Sequence, residues 1–154
     1  MHVNVYLSGE IHSNWRKEIA ESCLSQQLPI TFMSPVIDHN LSDNAGDILG
    51  EETDSFWGDH KSAKINGIRT RNMIEKADIV VVKFGEEYRQ WNAAFEAGYA
   101  VAKGKPIIVL HPNELAHPLK EVDAAAMVVA ENPEQVIKVL KYILTKQEIV
   151  DSSQ

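Results

Sequence analysis

The residues best able to do chemistry lie in one stretch, Phe84-Gly85-Glu86-Glu87-Tyr88-Arg89-Gln90-Trp91-Asn92-Ala93-Ala94-Phe95-Glu96-Ala97-Gly98-Tyr99-Ala100. Its pivot is Glu96. On a helix this carboxylate is surrounded by Ala93, Ala97, Tyr99 and Ala100, with Asn92 one turn earlier on the same face. A solvated helix does not normally wrap a lone carboxylate in so many small and apolar residues. Glu96 therefore has two comfortable settings: an ion pair, for which Arg69 and Arg71 are available, or the wall of a cleft. Trp91 and Trp57 offer flat surfaces on which a planar ligand could stack, although Trp91 could equally pack in the core with Phe95 one turn on. Ser8-Gly9 closes the first apolar run, where a hydroxyl, backbone amides and a side-chain-free residue allow close approach to a ligand. His12 follows that turn and could reach the same crevice, or be incidental to it.

The elements that must position these residues alternate between short β-rich runs and longer helical stretches. Val3–Leu7 reads as a strand. Residues 13–27 read as a helix with Ser13 as N-cap and Trp15, Ile19, Cys23 and Leu24 near helical spacing. Pro29–Met33 is a second strand, residues 59–77 a helix carrying Ile65, Ile68 and Ile74, and Asp78–Phe84 a nearly unbroken apolar run. Such a run suits a strand buried on both faces of a parallel sheet. A helix over 89–103 follows, in which Ala94, Gly98 and Ala102 are expected to let the backbone approach the sheet, with Gly104 as its stop. Pro106–Leu110, Ala126–Ala130 and a closing helix over 133–145 complete the pattern.

This alternation predicts an α/β three-layer sandwich: a flavodoxin-like, five-stranded parallel sheet in the order 2-1-3-4-5, flanked by helices joined through right-handed crossovers. Ligands of such a sheet bind beyond the carboxyl ends of the strands, beside the switch point. Residues 1–146 are expected to form one domain, with 147–154 as a polar tail. Pro35–Trp57 lacks clear periodicity and reads as a long loop, either a lid or subunit contact or a plain surface excursion.

Composition narrows the function classes. The chain has 154 residues, of which 44% are hydrophobic, too many for a disordered segment. Fifteen basic against twenty-two acidic residues give a net charge of −7, and no basic stripe is available to neutralise a nucleic-acid polymer. No run is long enough to cross a bilayer, the N-terminus does not read as a signal peptide, and the single Cys23 cannot form an internal disulfide or a Cys-based zinc site. The expected setting is cytoplasmic, with no membrane partner. His111 and His117 form an irregularly spaced pair, a weak metal signal, and no metal is expected. The dinucleotide fingerprint, the phosphate-binding loop and the nucleophile elbow are all missing, and no cofactor is expected.

The Ser8-Gly9 turn, the strand starting Asp78-Ile79-Val80, and Phe95-Glu96-Ala97-Gly98-Tyr99-Ala100 followed by Gly104-Lys105-Pro106 together resemble the nucleoside 2-deoxyribosyltransferase family. Lys64-Ile65-Asn66, Ile68-Arg69-Thr70-Arg71 and Tyr88-Arg89-Gln90-Trp91-Asn92-Ala93-Ala94-Phe95 resemble its YtoQ subgroup more closely, and the likeness covers most of the chain. The resemblance implies that Glu96 is a nucleophile attacking the anomeric carbon of a nucleoside or nucleotide as the base departs. A covalent glycosyl-Glu intermediate is then resolved by a second base or by water, making the chain a 2-deoxyribosyltransferase or a nucleoside/nucleotide N-glycosidase. An ionised carboxylate fits that role, stabilising oxocarbenium character before forming the ester, with net retention over two displacements.

Ser8, Gly9, Gln90, Trp91, Asn92 and Arg69 are the substrate-binding candidates. Relatives are oligomers in which a neighbour completes the site, which implies a homo-oligomer here. Two positions depart from the family pattern. Gln90 stands where an Asp usually holds the sugar, and Thr70 stands where a second Asp handles the proton on the base. Thr cannot act as a general acid near neutral pH, which leaves Glu10, Asp38, Asp59 and His60 as substitutes, or a different reaction. Arg69 and Arg71 fit a phosphorylated substrate or a surface ion pair. The competing functional classes are a non-catalytic nucleotide-binding module and a regulatory homo-oligomer.

Overall fold

The structure is a computed structural model and describes residues 1–145; the tail expected over 147–154 lies outside the described residues. Five strands, β1 (Val3–Gly9), β2 (Ile30–Met33), β3 (Ile79–Lys83), β4 (Ile107–Leu110) and β5 (Val128–Ala130), form one sheet in the order β2-β1-β3-β4-β5. Every pairing is parallel, and Val5 and Gly9 of β1 stand opposite Ile79 and Lys83 of β3. The expected topology is the observed one. β3 and β4 are buried almost throughout, as their unbroken β-branched composition requires of central strands covered on both faces.

Six α-helices cover the sheet: α1 (Trp15–Ser25), α2 (His39–Asp43), α3 (Ser55–Lys76), α4 (Trp91–Ala102), α5 (Lys120–Ala125) and α6 (Pro133–Leu144). The two-residue period of the strands divides the core in two. Val3, Val5, Leu7, Val81 and Ile108 pack against Trp15, Ile19 and Cys23 of α1 and Val136, Ile137 and Leu140 of α6. Tyr6, Val80, Val82, Ile107 and Val109 point the other way, onto Ile74 of α3 and Ala93, Ala97 and Ala100 of α4. α4 thus approaches the sheet through an alanine row at i, i+4 and i+7. Of the three expected close-packing positions, Ala94 is half-buried against this cluster, whereas Gly98 and Ala102 are exposed and a methyl group built on Gly98 meets nothing within 4 Å.

Three local features differ from the sequence reading. Asn14, not Ser13, is the N-cap of α1, and it gives no side-chain cap; Ser13 is drawn away by Glu10 and Lys83, to which its hydroxyl is bonded. The segment read as a loop holds α2, a 3-10 turn over Ala45–Leu49, and the start of α3. Its helices were masked by polar surfaces and were recognisable only by their caps: the Asp38 carboxylate accepts the Leu41 N–H at 3.2 Å and Asp54 accepts that of Phe56 at 2.8 Å. α5 was missed because six residues are too few to establish a helical period. Among the described residues no helix is long and apolar enough to cross a membrane.

Candidate functional site

The sheet order puts the switch point between β1 and β3, and a cleft of about 880 Å³ opens there. The loops after β1 and β3 flank it, α3 walls one side, and the first two turns of α4 line the other. Gly9, Arg69, Gln90, Trp91, Asn92 and Glu96 all face this cleft. Ser8 belongs to the site by a different route. It is fully buried and points its hydroxyl at Glu96.

Tyr6 and Ser8 lie two residues apart on β1 and therefore on one face of the sheet, the face α4 covers. Both donate to the same carboxylate oxygen, Glu96 Oε2: Ser8 through a short hydrogen bond and the Tyr6 hydroxyl at 3.2 Å. Oε1 accepts no hydrogen bond among the described residues. Oε2 is held twice, and Oε1 keeps access to solvent. Burial drives the Glu96 carboxyl above the ordinary carboxylate range, and the Ser8 and Tyr6 hydrogen bonds and the Arg16 charge offset that only in part. Burial and the neighbouring Glu96 charge also push the Tyr6 phenol far up, so it stays a donor. Thr70, in the cleft wall, works against that rise without reversing it.

Arg16 is the cation whose charge acts on Glu96, from beyond ion-pair distance. Its guanidinium is fixed by three carbonyls, of Leu7 at 3.0 Å, Gly9 at 2.8 Å and Glu10 at 2.6 Å. Of the two settings open to Glu96, the structure shows the cleft wall and not an ion pair with Arg69 or Arg71. Among the described residues neither forms an ion pair, and Arg71 instead lies over the Tyr99 ring.

The β1 turn is built around Gly9 and Glu10. Gly9 has φ +105°, and a methyl group there would fall 2.0 Å from the Lys83 carbonyl oxygen. Glu10, next along, donates its N–H to that same carbonyl at 3.0 Å. Its buried carboxylate receives the Ser13 N–H at 2.9 Å, the His12 N–H, the Ser13 hydroxyl and the Lys83 ammonium at 3.1 Å. Burial would raise this carboxyl, but the bonds from Ser13, Lys83 and His12 outweigh it and hold it below the usual range. Glu10 is a structural anion that fastens the loop, and a poor proton donor. Of the four acids suggested by sequence, Glu10 and Asp59 line the cleft, whereas Asp38 and His60 do not.

Across the cleft the Gln90 amide oxygen accepts the Gly85 N–H at 3.0 Å, holding the β3 loop against the start of α4. His12 does reach the crevice, where its ring lies 4.4 Å from that of Tyr88 and 5.5 Å from that of His39. Trp91 is 70% exposed and Phe95 64%, so the core-packing alternative for Trp91 is not realised; Arg89 lies over its ring instead. Trp57 packs edge-on with Phe56 and His60, outside the cleft lining. Tyr6, Arg16, His39 and Tyr88 were missed. Tyr6 alone left a signal, because it shares the β1 face of Ser8.

Residues 6–144 match the family model described as nucleoside 2-deoxyribosyltransferase YtoQ. The chain is 49% identical to the Bacillus subtilis protein YtoQ over 140 residues, covering 90% of this chain and 95% of that one. In fold it is similar to a conserved protein from Enterococcus faecalis, with a TM-score of 0.61 at 15% identity over 94% of this chain and all of the other. It is also similar to a 2-deoxyribosyltransferase from Bacillus psychrosaccharolyticus, with a TM-score of 0.52 at 18% identity over 89% and 95% of the two chains. The chain belongs to the YtoQ family of nucleoside 2-deoxyribosyltransferase-like proteins.

Proposed function

We propose that this protein is a cytoplasmic enzyme that breaks the N-glycosidic bond of a nucleoside or nucleotide through a glycosyl ester on Glu96. The observation that carries this reading is the division of labour on one carboxylate, with Oε2 held by Ser8 and Tyr6 and Oε1 open to the cleft. Oε1 attacks the anomeric carbon as the carbon–nitrogen bond breaks, and the electron pair leaves with the base, which takes up a proton. Water or a second base then displaces the ester and returns Glu96 as a carboxylate, so configuration is retained overall. Base release and base exchange should be measured over deoxynucleosides, ribonucleosides and their 5′-monophosphates; absence of turnover across the whole panel would contradict the reading. The neutral Gln90 and Thr70 favour a second reading, a binding module without turnover, which predicts affinity insensitive to Glu96→Gln and no released base.

The nucleophile must be ionised, so its burial sets the acid limb of activity. The kcat/KM profile should rise with pH through an apparent pKa above the ordinary carboxylate value of about 4.3. Ser8→Ala removes a bond that lowers the Glu96 pKa and should move that limb to higher pH. Loss of one charge-assisted bond should also reduce kcat/KM about 10- to 100-fold at neutral pH. A limb that stays in place after Ser8→Ala would separate Ser8 from the ionisation of Glu96.

The assembled state is proposed to be a homo-oligomer. Trp91 and Phe95, 70% and 64% exposed and one helical turn apart, form an apolar rim to the cleft that a second copy would cover. Light scattering should report a mass above that of one chain, and Phe95→Asp should lower it. A monomeric mass at micromolar concentration would contradict the assembly.

A further inference from the structure

The chain has four arginines, Arg16, Arg69, Arg71 and Arg89, among its fifteen basic residues. Arg69, Arg71 and Arg89 line the cleft, where no described lysine does, and Arg16, bound to the β1 carbonyls, adds its charge to the surroundings of Glu96. This concentration occurs in a chain whose net charge is −7.

The three cleft arginines are not consumed by the protein. Glu96 already has the Arg16 charge, and Glu10 has Lys83. Among the described residues no carboxylate stands within ion-pair distance of Arg69, Arg71 or Arg89. Two of them rest on aromatic faces instead, Arg71 over Tyr99 at 5.8 Å and Arg89 over Trp91 at 5.6 Å. Stacking restrains a guanidinium while leaving its in-plane N–H edge free for a bidentate acceptor. A neutral sugar and base would give these donors no anion to meet. Arginine in place of lysine is the choice for planar recognition of phosphate oxygens.

We propose that Arg69, Arg71 and Arg89 form a subsite for a dianionic phosphate monoester, making nucleoside 5′-monophosphates the substrate class in preference to free nucleosides. The proposal rests on the N-glycosidic reading of the same cleft, and its test separates the two. The full chain is assayed for base release from a nucleoside and its own 5′-monophosphate, as wild type and as the combined R69Q, R71Q and R89Q variant. All three side chains are exposed, so their truncation spares the core. The monophosphate should be preferred by about 100-fold or more in kcat/KM, and the preference should collapse to below about tenfold in the variant, the scale expected for charge-assisted hydrogen bonds. The second arm titrates the same monophosphate into Glu96→Gln protein by calorimetry, with and without the arginine substitutions. Arginine-dependent binding without base release from either substrate would support the phosphate subsite and overturn the glycosidase reading. Equal kcat/KM for the two substrates, a preference that survives the triple substitution, or no monophosphate binding would overturn the phosphate subsite, whatever becomes of base release.

Discussion

Glu96→Gln is expected to abolish base release, by at least about a thousandfold in kcat, while leaving substrate binding within a few-fold of wild type. The amide is isosteric, and its oxygen can still accept from Ser8 and Tyr6, the two donors that hold Oε2. What it lacks is the negative charge that stabilises an oxocarbenium-like centre and the oxygen nucleophile that forms the ester. The same substitution carries a stability signature. Folding raises the Glu96 pKa, so between the unfolded and folded values the native state binds the additional proton. Stability contributed by that proton is present below the unfolded pKa and is lost as pH rises through the folded one. Glu96→Gln removes the buried charge and should raise Tm at neutral pH, by about 2–4 °C per kcal/mol relieved, with the advantage shrinking toward pH 4. Melting curves at the two pH values check this. A Tm that falls, with activity, would instead mark Glu96 as a stabilising ion-pair partner.

The second large effect is expected at Gly9. Gly9→Ala places a carbon 2.0 Å from the Lys83 carbonyl oxygen at φ +105°. Both participants are backbone, so no rotamer change relieves the overlap. β1 and β3 must separate, which breaks the Glu10 N–H to Lys83 carbonyl bond at 3.0 Å and releases the loop that carries Glu10 and His12. The cost should exceed about 3 kcal/mol, in the range of severe backbone strain, with base release lost alongside the fold. Gly98→Ala is the matched contrast. That residue lies in α4 with open space around it, and alanine there should stabilise by about 0.5–1 kcal/mol through reduced freedom of the unfolded chain. Opposite signs for one chemical change at two glycines, read by thermal or urea denaturation, would confirm that close strand approach is what Gly9 supplies.

How much of this was legible in the sequence depends on the range of the signal. The strands and long helices were readable because burial on both faces leaves unbroken apolar runs such as Ile79–Lys83, and Gly104, with φ +72°, marks a helix end locally. Glu96 was legible because its setting, alanines at helical spacing, is written in adjacent residues. Its partners were not. Tyr6 and Ser8 lie 90 and 88 residues away, and nothing local distinguishes a tyrosine facing a carboxylate from one filling the core. Arg16 reads as an ordinary charge on an exposed helix, and only the fold bends its guanidinium back onto the β1 carbonyls. For the same reason the neighbouring residues left open whether Glu96 pairs with Arg69 or Arg71 or lines a cleft, and only the fold places it in the cleft wall with no described arginine in ion-pair distance. The segment from Pro35 to Trp57 hid its short helices because they face the solvent on most sides and have no apolar period to show.

The most direct test of the central claim is the anomeric configuration of the sugar product when turnover is run in dilute methanol. Methanol competes with water for the glycosyl ester and gives a methyl glycoside that does not mutarotate, so proton NMR reads the stereochemistry of the transfer itself. A nucleophilic Glu96 predicts two displacements and a methyl glycoside with the configuration of the starting nucleoside or nucleotide. An inverted methyl glycoside would mean that water or methanol attacks the sugar directly, and the covalent role of Glu96 would be contradicted.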